Sequence, residues 1–206
     1  MRCYILFGCC ASLLLLSGCS ETATAPKKAA EPAKPPEPVT GRFALYQMYT
    51  AARGWSADIE PLRLNSIHLQ GVKPEPGKAA AWQITFISPR LGRARAYTYS
   101  VIEAEGNLHK GVFAGLEETW SGPRGNVKPF LLAAIKKDSD EAYRIAMKKG
   151  AEYDKKNPGK TISIVLEKTA QFPDPAWRVI WGESVGTSNF SIYVDASTGE
   201  YLQTMR

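Results

Sequence analysis

The chain of 206 residues carries 26 Lys and Arg against 20 Asp and Glu, a net charge of +6, and its four cysteines (Cys3, Cys9, Cys10 and Cys19) all fall near its start. Everything after Cys19 therefore lacks the thiols needed for a disulfide, a thiolate metal site or a cysteine nucleophile. The positive balance suits anionic lipid headgroups or an acidic partner, and no nucleic-acid recognition module is visible, so nucleic acid is not an expected partner.

Residues 1–19 read as an export segment rather than as part of the fold. Arg2 supplies the charged start and Tyr4–Leu16 the apolar stretch, which is too short to span a bilayer comfortably. Leu16-Ser17-Gly18-Cys19 resembles a bacterial lipobox. That resemblance implies cleavage before Cys19, acylation of its thiol and anchoring in the lipid bilayer. Ser20 follows instead of Asp, which in enteric bacteria implies sorting to the outer membrane, facing the periplasm. Residues 20–39 form a tether. Its five prolines, with Ala, Lys and Glu, leave almost nothing to bury. At about 3.1 Å per residue in extended polyproline form, ~20 residues reach up to ~60 Å from the membrane.

Thr40 is the predicted N-cap of a helix, with Ala44, Leu45, Met48, Ala51 and Ala52 on one stripe and Gly54 as the C′ residue. A strand is expected over 62–69, broken near Asn65-Ser66, then a Pro/Gly loop over 71–78. A hairpin follows over 81–114. Trp82, Ile84 and Phe86 alternate in one arm, and Tyr97, Tyr99 and Val101 in the other. Residues 121–126 read as a loop and a domain junction, and 129–135 fits either a strand or a short helix. Asp138 caps a second helix, with Glu141 at the capping-box spacing. Ala142, Ile145 and Ala146 form its inner stripe, and it ends at Gly150 or at Asn157-Pro158-Gly159. Ile162, Ile164 and Leu166 share one strand face. Two further arms carry Trp177, Val179 and Trp181, then Phe190, Ile192 and Val194. Asp195–Gly199 closes them with a tight turn in which Gly199 takes positive φ.

The two hairpins match each other. Trp82, Ile84 and Phe86 align with Trp177, Val179 and Trp181 at an offset of 177 − 82 = 95. Tyr97, Tyr99, Val101, Gly106 and Leu108 align with Phe190, Ile192, Val194, Gly199 and Tyr201 at an offset of 190 − 97 = 93, as though the first hairpin loop were longer by two residues. The expected fold class is α+β: two tandem small repeats, 40–120 and 121–206, each a helix packed on a three- to four-stranded antiparallel sheet. They stand either as two units or fused in one domain.

Trp177-Arg178-Val179, followed by Tyr193-Val194-Asp195-Ala196-Ser197-Thr198-Gly199-Glu200-Tyr201-Leu202, resembles the end of a PepSY domain, which typically closes in V-D-A-x-T-G-x-V/L. The similarity runs from roughly Asp138 onward. The first half matches less well, because Val101–Leu108 lacks the Asp and the Thr. The resemblance implies a domain linked to inhibition or regulation of secreted peptidases, presenting a sheet face or edge strand to its partner.

Residue chemistry adds little to that. His68 and His109 stand apart with no companion ligands at metal-binding spacing, so neither metal nor cofactor is expected. Glu103, Glu105, Glu117 and Glu118 read as solvated carboxylates rather than an acid–base pair, and no Gly-x-Ser-x-Gly elbow is present. Lys148, Lys149, Lys155, Lys156 and Lys160 read as a basic helix face. Among five tryptophans, most are expected core anchors, and Trp120, in the junction, is the candidate partner contact. The sequence points to a membrane-anchored, non-catalytic envelope protein that binds or regulates a partner such as a secreted peptidase. The alternative is a structural lipoprotein that spaces or stabilises an envelope assembly without an inhibitory role.

Overall fold

The computed structural model describes residues 35–206, apart from 107 and 124. Cys19, the export segment and most of the tether lie outside the described residues. A two-residue strand, β1 (Val39–Thr40), leads into α1 (Gly41–Ala52), β2 (Glu60–Ile67), a short β3 (Lys78–Ala79), β4 (Ala81–Ser88), β5 (Arg93–Ser100), β6 (Gly111–Thr119) and a short β7 (Val127–Lys128). A 3-10 turn over Leu132–Ala134 then precedes α2 (Ser139–Lys156), β8 (Ile162–Thr169), β9 (Ala176–Trp181), β10 (Ser191–Asp195) and β11 (Tyr201–Met205). The fold is α+β, with two helices on a large antiparallel sheet whose strand order is β11-β10-β9-β8-β2-β4-β5-β6.

The seam of that sheet is β2 against β8, where Arg63 lies opposite Glu167, Leu64 opposite Leu166 and Asn65 opposite Val165. Outward from the seam both sides add strands in chain order. Trp82 faces Tyr99 and Ile84 faces Tyr97 across β4–β5, while Trp177 faces Val194 and Val179 faces Ile192 across β9–β10. The offset of 95 between the first arms therefore persists into the second arms, contrary to the expected drop to 93. The two extra residues sit after β5, on the way to Gly106, and not in the hairpin loop. A shift of two keeps every side chain on its own face, so alternation alone cannot detect this error.

Both helices cover one face of the sheet. α1 buries Ala44, Leu45, Met48 and Ala52 there, and α2 buries Ala142, Ala146 and Gly150. Small residues on α2 match large ones on the sheet: Trp82, Trp177 and Trp181 are each 0% exposed. Trp82 and Trp177 meet edge to face at 6.5 Å. At about 25 cal/mol per Å² and 150–250 Å² per ring, each buried indole contributes roughly 4–6 kcal/mol of transfer free energy. None leaves its N–H unpaired. Trp82 donates to the Val39 carbonyl (3.0 Å), Trp177 to the Lys137 carbonyl (2.9 Å) and Trp181 to the Asp154 carboxylate (2.8 Å). Val39 and Lys137 each immediately precede a helix N-cap, so two tryptophans tie the start of each helix to the sheet.

The helix starts also meet each other. Thr40 caps α1, and Asp138 caps α2 in a capping box with Glu141. Asp138 Oδ1 additionally accepts the Arg42 amide at 2.9 Å. Ser139 Oγ accepts the Gly41 amide at 2.8 Å and donates to the Gly77 carbonyl at 2.6 Å. The Asp195–Gly199 turn buttresses the same region. Asp195 Oδ1 accepts the amides of Ser197 and Thr198 at 2.7 and 2.8 Å. Gly199 takes φ +81°. The carbonyl of buried Ala196 accepts the amides of Lys136 and Lys137, just ahead of α2. The residues that resemble a PepSY ending thus fasten the last hairpin to the second helix.

Several local expectations are corrected. Ala51 is exposed rather than part of the buried stripe. α1 closes on Arg53 in a right-handed conformation (φ −60°), so Gly54 does not act as a left-handed cap. β2 runs unbroken through Asn65-Ser66, because Ser66 Oγ accepts the Ile164 amide across the seam at 2.8 Å. Its irregularity lies instead between Pro61 and Arg63, where proline cannot donate to the ladder. β6 continues to Thr119, well past the expected end at 114. Gly115 sits in a bulge, since the register against β5 shifts between Arg95 and Tyr97. Gly150 does not end α2. It lies inside the helix because a Cβ there would stand 2.7 Å from the Trp181 ring.

Candidate functional site

Strand alternation sends every second side chain to the face away from the helices. On β9, Trp177, Val179 and Trp181 join the core, so Arg178 points the other way. By the same rule Arg63, Glu167 and Tyr193 share that opposite face with it. The register brings them together: Arg63 is directly across from Glu167, and Arg178 directly across from Tyr193.

They form a charged network on the floor of a cleft of about 570 Å³. Glu167 is only 4% exposed and Tyr193 5%. The Tyr193 hydroxyl donates to Glu167 Oε1 at 3.1 Å. Arg63 Nε lies 3.4 Å from Glu167 Oε2 and Arg178 Nη1 lies 4.0 Å from Glu167 Oε1. Arg178 is held twice more, donating to Ser191 Oγ at 2.9 Å and sitting 5.0 Å above the Tyr193 ring. The Phe172 ring packs against that of Tyr193 at 5.1 Å, tilted by 57°. Burial, reinforced by the negative charge of Glu167, pushes the Tyr193 hydroxyl up to about 12. Tyr193 is therefore a neutral donor at physiological pH, not a base. Arg63 Nε and Thr169 Oγ1 are enclosed without a hydrogen-bond partner. Only Glu167 is fully withdrawn from water, its side chain 5% exposed against 15% for Arg178 and 36% for Arg63, so the two arginines offset the desolvation cost of one buried carboxylate.

The lining is completed by Val127 of β7, by Gln171 and Val185 from loops, and by Met205 of β11. Val127 also lines a second depression, of about 230 Å³, shared with Leu62, Thr85, Ala94, Glu118 and Trp120. The two hollows adjoin on one face of the sheet. Trp120 stands at the end of β6 with its amide donating to the Gly92 carbonyl at 2.9 Å. It is half-buried in the wall of this depression rather than exposed in a free junction.

The other residues singled out from sequence lie elsewhere. His68 Nε2 is 2.9 Å from the Ile162 carbonyl, beside a separate cavity of about 470 Å³ that reaches Tyr143 and Lys160. His109 Nδ1 is 2.5 Å from Glu103 Oε1 in the exposed β5–β6 loop. The Lys110 amide, at 3.0 Å, and then His109 hold the Glu103 carboxyl below its ordinary range. Glu117 accepts from the Trp55 indole at 3.0 Å. Lys149 lies 5.1 Å from the Tyr201 ring, and Lys160 donates to the Tyr153 hydroxyl at 2.8 Å. Asp58 is a fastening between loops: its carboxylate accepts from Ser56 (2.6 Å), Ser88 (2.7 Å) and the Arg90 amide (2.8 Å), which hold it far below the usual carboxylate range. Among the described residues, no group of three or more His, Cys, Asp or Glu is placed to hold a metal ion.

Sequence reasoning passed over Arg63, Glu167, Arg178 and Tyr193. A signal was present. Glu167 ends the run Ile164-Val165-Leu166, and Arg178 sits between Trp177 and Val179. Lone charges on the minority face of otherwise apolar strands mark the site.

The fold and this cleft define an α+β protein with a helix-covered core on one side of its sheet and a charged hollow on the other. No family model matches the chain, and no curated protein matches it. One solved structure resembles it, that of a candidate lipoprotein from Clostridium difficile 630, at a TM-score of 0.47 and 10% identity, covering 78% of this chain and 91% of that one. Likeness that faint transfers neither function nor site. Among the described residues no helix is long and apolar enough to cross a membrane.

Proposed function

We propose that this chain is a lipid-anchored, non-catalytic binding module of the cell envelope, tethered through acylated Cys19 and built of two related α+β halves. The face of the sheet away from the helices is its working surface. The observation that carries this reading is the Arg63–Glu167–Arg178–Tyr193 network, with Glu167 and Tyr193 buried, on the floor of a cleft that adjoins the hollow beside Trp120. A non-catalytic role is supported by the chemistry of these groups: arginines stay charged, Tyr193 stays protonated, and Glu167 is occupied by three partners. The resemblance of Tyr193–Leu202 to a PepSY ending supports a secreted peptidase as the partner class.

Acylation is tested by mass spectrometry of the mature N-terminus, with Cys19→Ser releasing the protein from the membrane. Partner choice is tested by deleting the gene and measuring envelope peptidase activity, with wild-type and Arg63→Glu chains added back. A peptidase whose rate shifts on deletion and is restored only by the wild type supports the reading. Unchanged peptidase rates alongside altered detergent sensitivity favour the structural alternative, an assembly lipoprotein without inhibitory role.

A further inference from the structure

The cleft carries two guanidinium groups and one carboxylate, with Tyr193 neutral, so its floor holds one positive charge in excess. That charge is set among groups that are largely shielded from water. Glu167 takes up the inner side of both arginines, and the outer part of Arg63 faces the opening, its side chain 36% exposed. Thr169 Oγ1 is enclosed without a partner, and Asn126 and Gln171 add polar groups at the walls. Val127, Val185 and Met205 give the same hollow an apolar lining. About 570 Å³ lies within the size range of small-ligand clefts and admits a few residues of extended chain.

We infer that this cleft binds the free carboxylate of a peptide, with Arg63 as the primary anchor and the residue bearing the carboxylate packed against Val127, Val185 and Met205. The excess of one charge selects a monoanion. A phosphate dianion leaves a net negative charge beside buried Glu167 and is disfavoured. Arginine suits the task because its planar fork matches a carboxylate bidentately while its stem packs on the sheet. The inference rests on the reading of this sheet face as the working surface, and names what that surface recognises.

The test uses the full chain in detergent micelles and three probes: an acetylated tetrapeptide Ala-Ala-Leu-Val with a free C-terminus, the same peptide as its C-terminal amide, and an acetylated Ala-Asp-Leu-Val amide. Calorimetry gives affinity, and the methyl resonances of Val127, Val185 and Met205 give location. The free acid is expected to bind with Kd below about 1 mM and to shift those methyls, with the amide weaker by about tenfold or more. The Asp-bearing amide is expected to bind as weakly as the plain amide, and its binding in place of the free acid overturns the inference. Arg63→Met is expected to weaken the acid about tenfold. Glu167→Gln, which raises the excess charge to two, is expected to tighten it and to admit inorganic phosphate. The comparison of acid with amide needs no variant, so a variant that fails to fold leaves the test intact. Equal binding of acid and amides, no binding of any probe at about 5 mM, or methyl shifts confined to other regions overturns the inference. A peptidase effect that survives such a failure leaves the binding-module reading standing on its own.

Discussion

Asp138 is the residue on which two helix starts depend, and replacing it with alanine tests how the halves are joined. Its carboxylate caps α2, accepting the Ser139 amide at 2.6 Å within a capping box, and reaches across to the Arg42 amide of α1 at 2.9 Å. Loss of an Asp N-cap costs about 1 kcal/mol. The contact to α1 is a charge-assisted bond to a second helix N-terminus and adds about 1–1.5 kcal/mol in this partly buried setting. Asp138→Ala is therefore expected to lower stability by about 2–2.5 kcal/mol. Asp138→Asn keeps an acceptor but loses the charge, and is expected to cost about 1 kcal/mol. Thr40→Ala is the internal control, since its only cap bond, to the Phe43 amide, is long at 3.4 Å, and its expected cost is below about 1 kcal/mol. Urea unfolding followed by tryptophan fluorescence reads all three, because the buried indoles respond to loss of the core. If Asp138→Ala costs no more than Thr40→Ala, the shared cap is not holding the two helices together and the reasoning fails.

Tyr193 is raised from 10.0 to about 12, so the folded state holds its proton more tightly than the unfolded chain. The associated stability is complete below pH 10 and is lost as pH climbs toward about 12, at most about 3 kcal/mol. Tyr193→Phe is expected to flatten the alkaline limb of the stability curve, leaving the smaller slope from Tyr97, Tyr99 and Tyr143, which burial also raises; an unchanged limb contradicts the assignment. Asp58 is depressed, so its contribution is present above the ordinary Asp range and disappears as pH falls through about 4 and below. Asp58→Asn should remove part of that acid sensitivity in a thermal melt taken as a function of pH. Gly150→Ala puts a Cβ 2.7 Å from the Trp181 ring. Helix propensity alone predicts a gain of about 1 kcal/mol, whereas overpacking against a buried indole predicts a net loss of about 1–3 kcal/mol. The sign of the measured change decides between them.

The helices were legible because their caps are written in residue types with a direct mechanism: Thr40, Asp138 and Glu141. The core strands were legible because Trp, Ile, Val and Phe alternate on them. What escaped was register and anything dependent on it. Period-two patterning is blind to a slip of two residues, and it does not reveal that β2 and β8 pair to make one sheet from two halves. Glycine misled at Gly54, since α1 closes on right-handed Arg53 instead, and at Gly150, where the close approach of Trp181 rather than a stop explains the residue. The cleft was hidden for the same reason as the register. Arg63, Glu167, Arg178 and Tyr193 come from four strands and more than a hundred residues of chain, and only the pairing of β2 with β8, β8 with β9 and β9 with β10 brings them together.

The claim that the helix-free face of the sheet is the working surface is tested most directly by photo-cross-linking in living cells. A photo-reactive residue is placed in turn at Gln171, on the cleft wall, at Trp120, in the adjoining hollow, and at exposed Lys155, on the outside of α2. The account predicts one discrete adduct from positions 171 and 120 that Arg63→Glu abolishes, and none from position 155. The same adducts from all three positions, or an adduct from 155 alone, would contradict it.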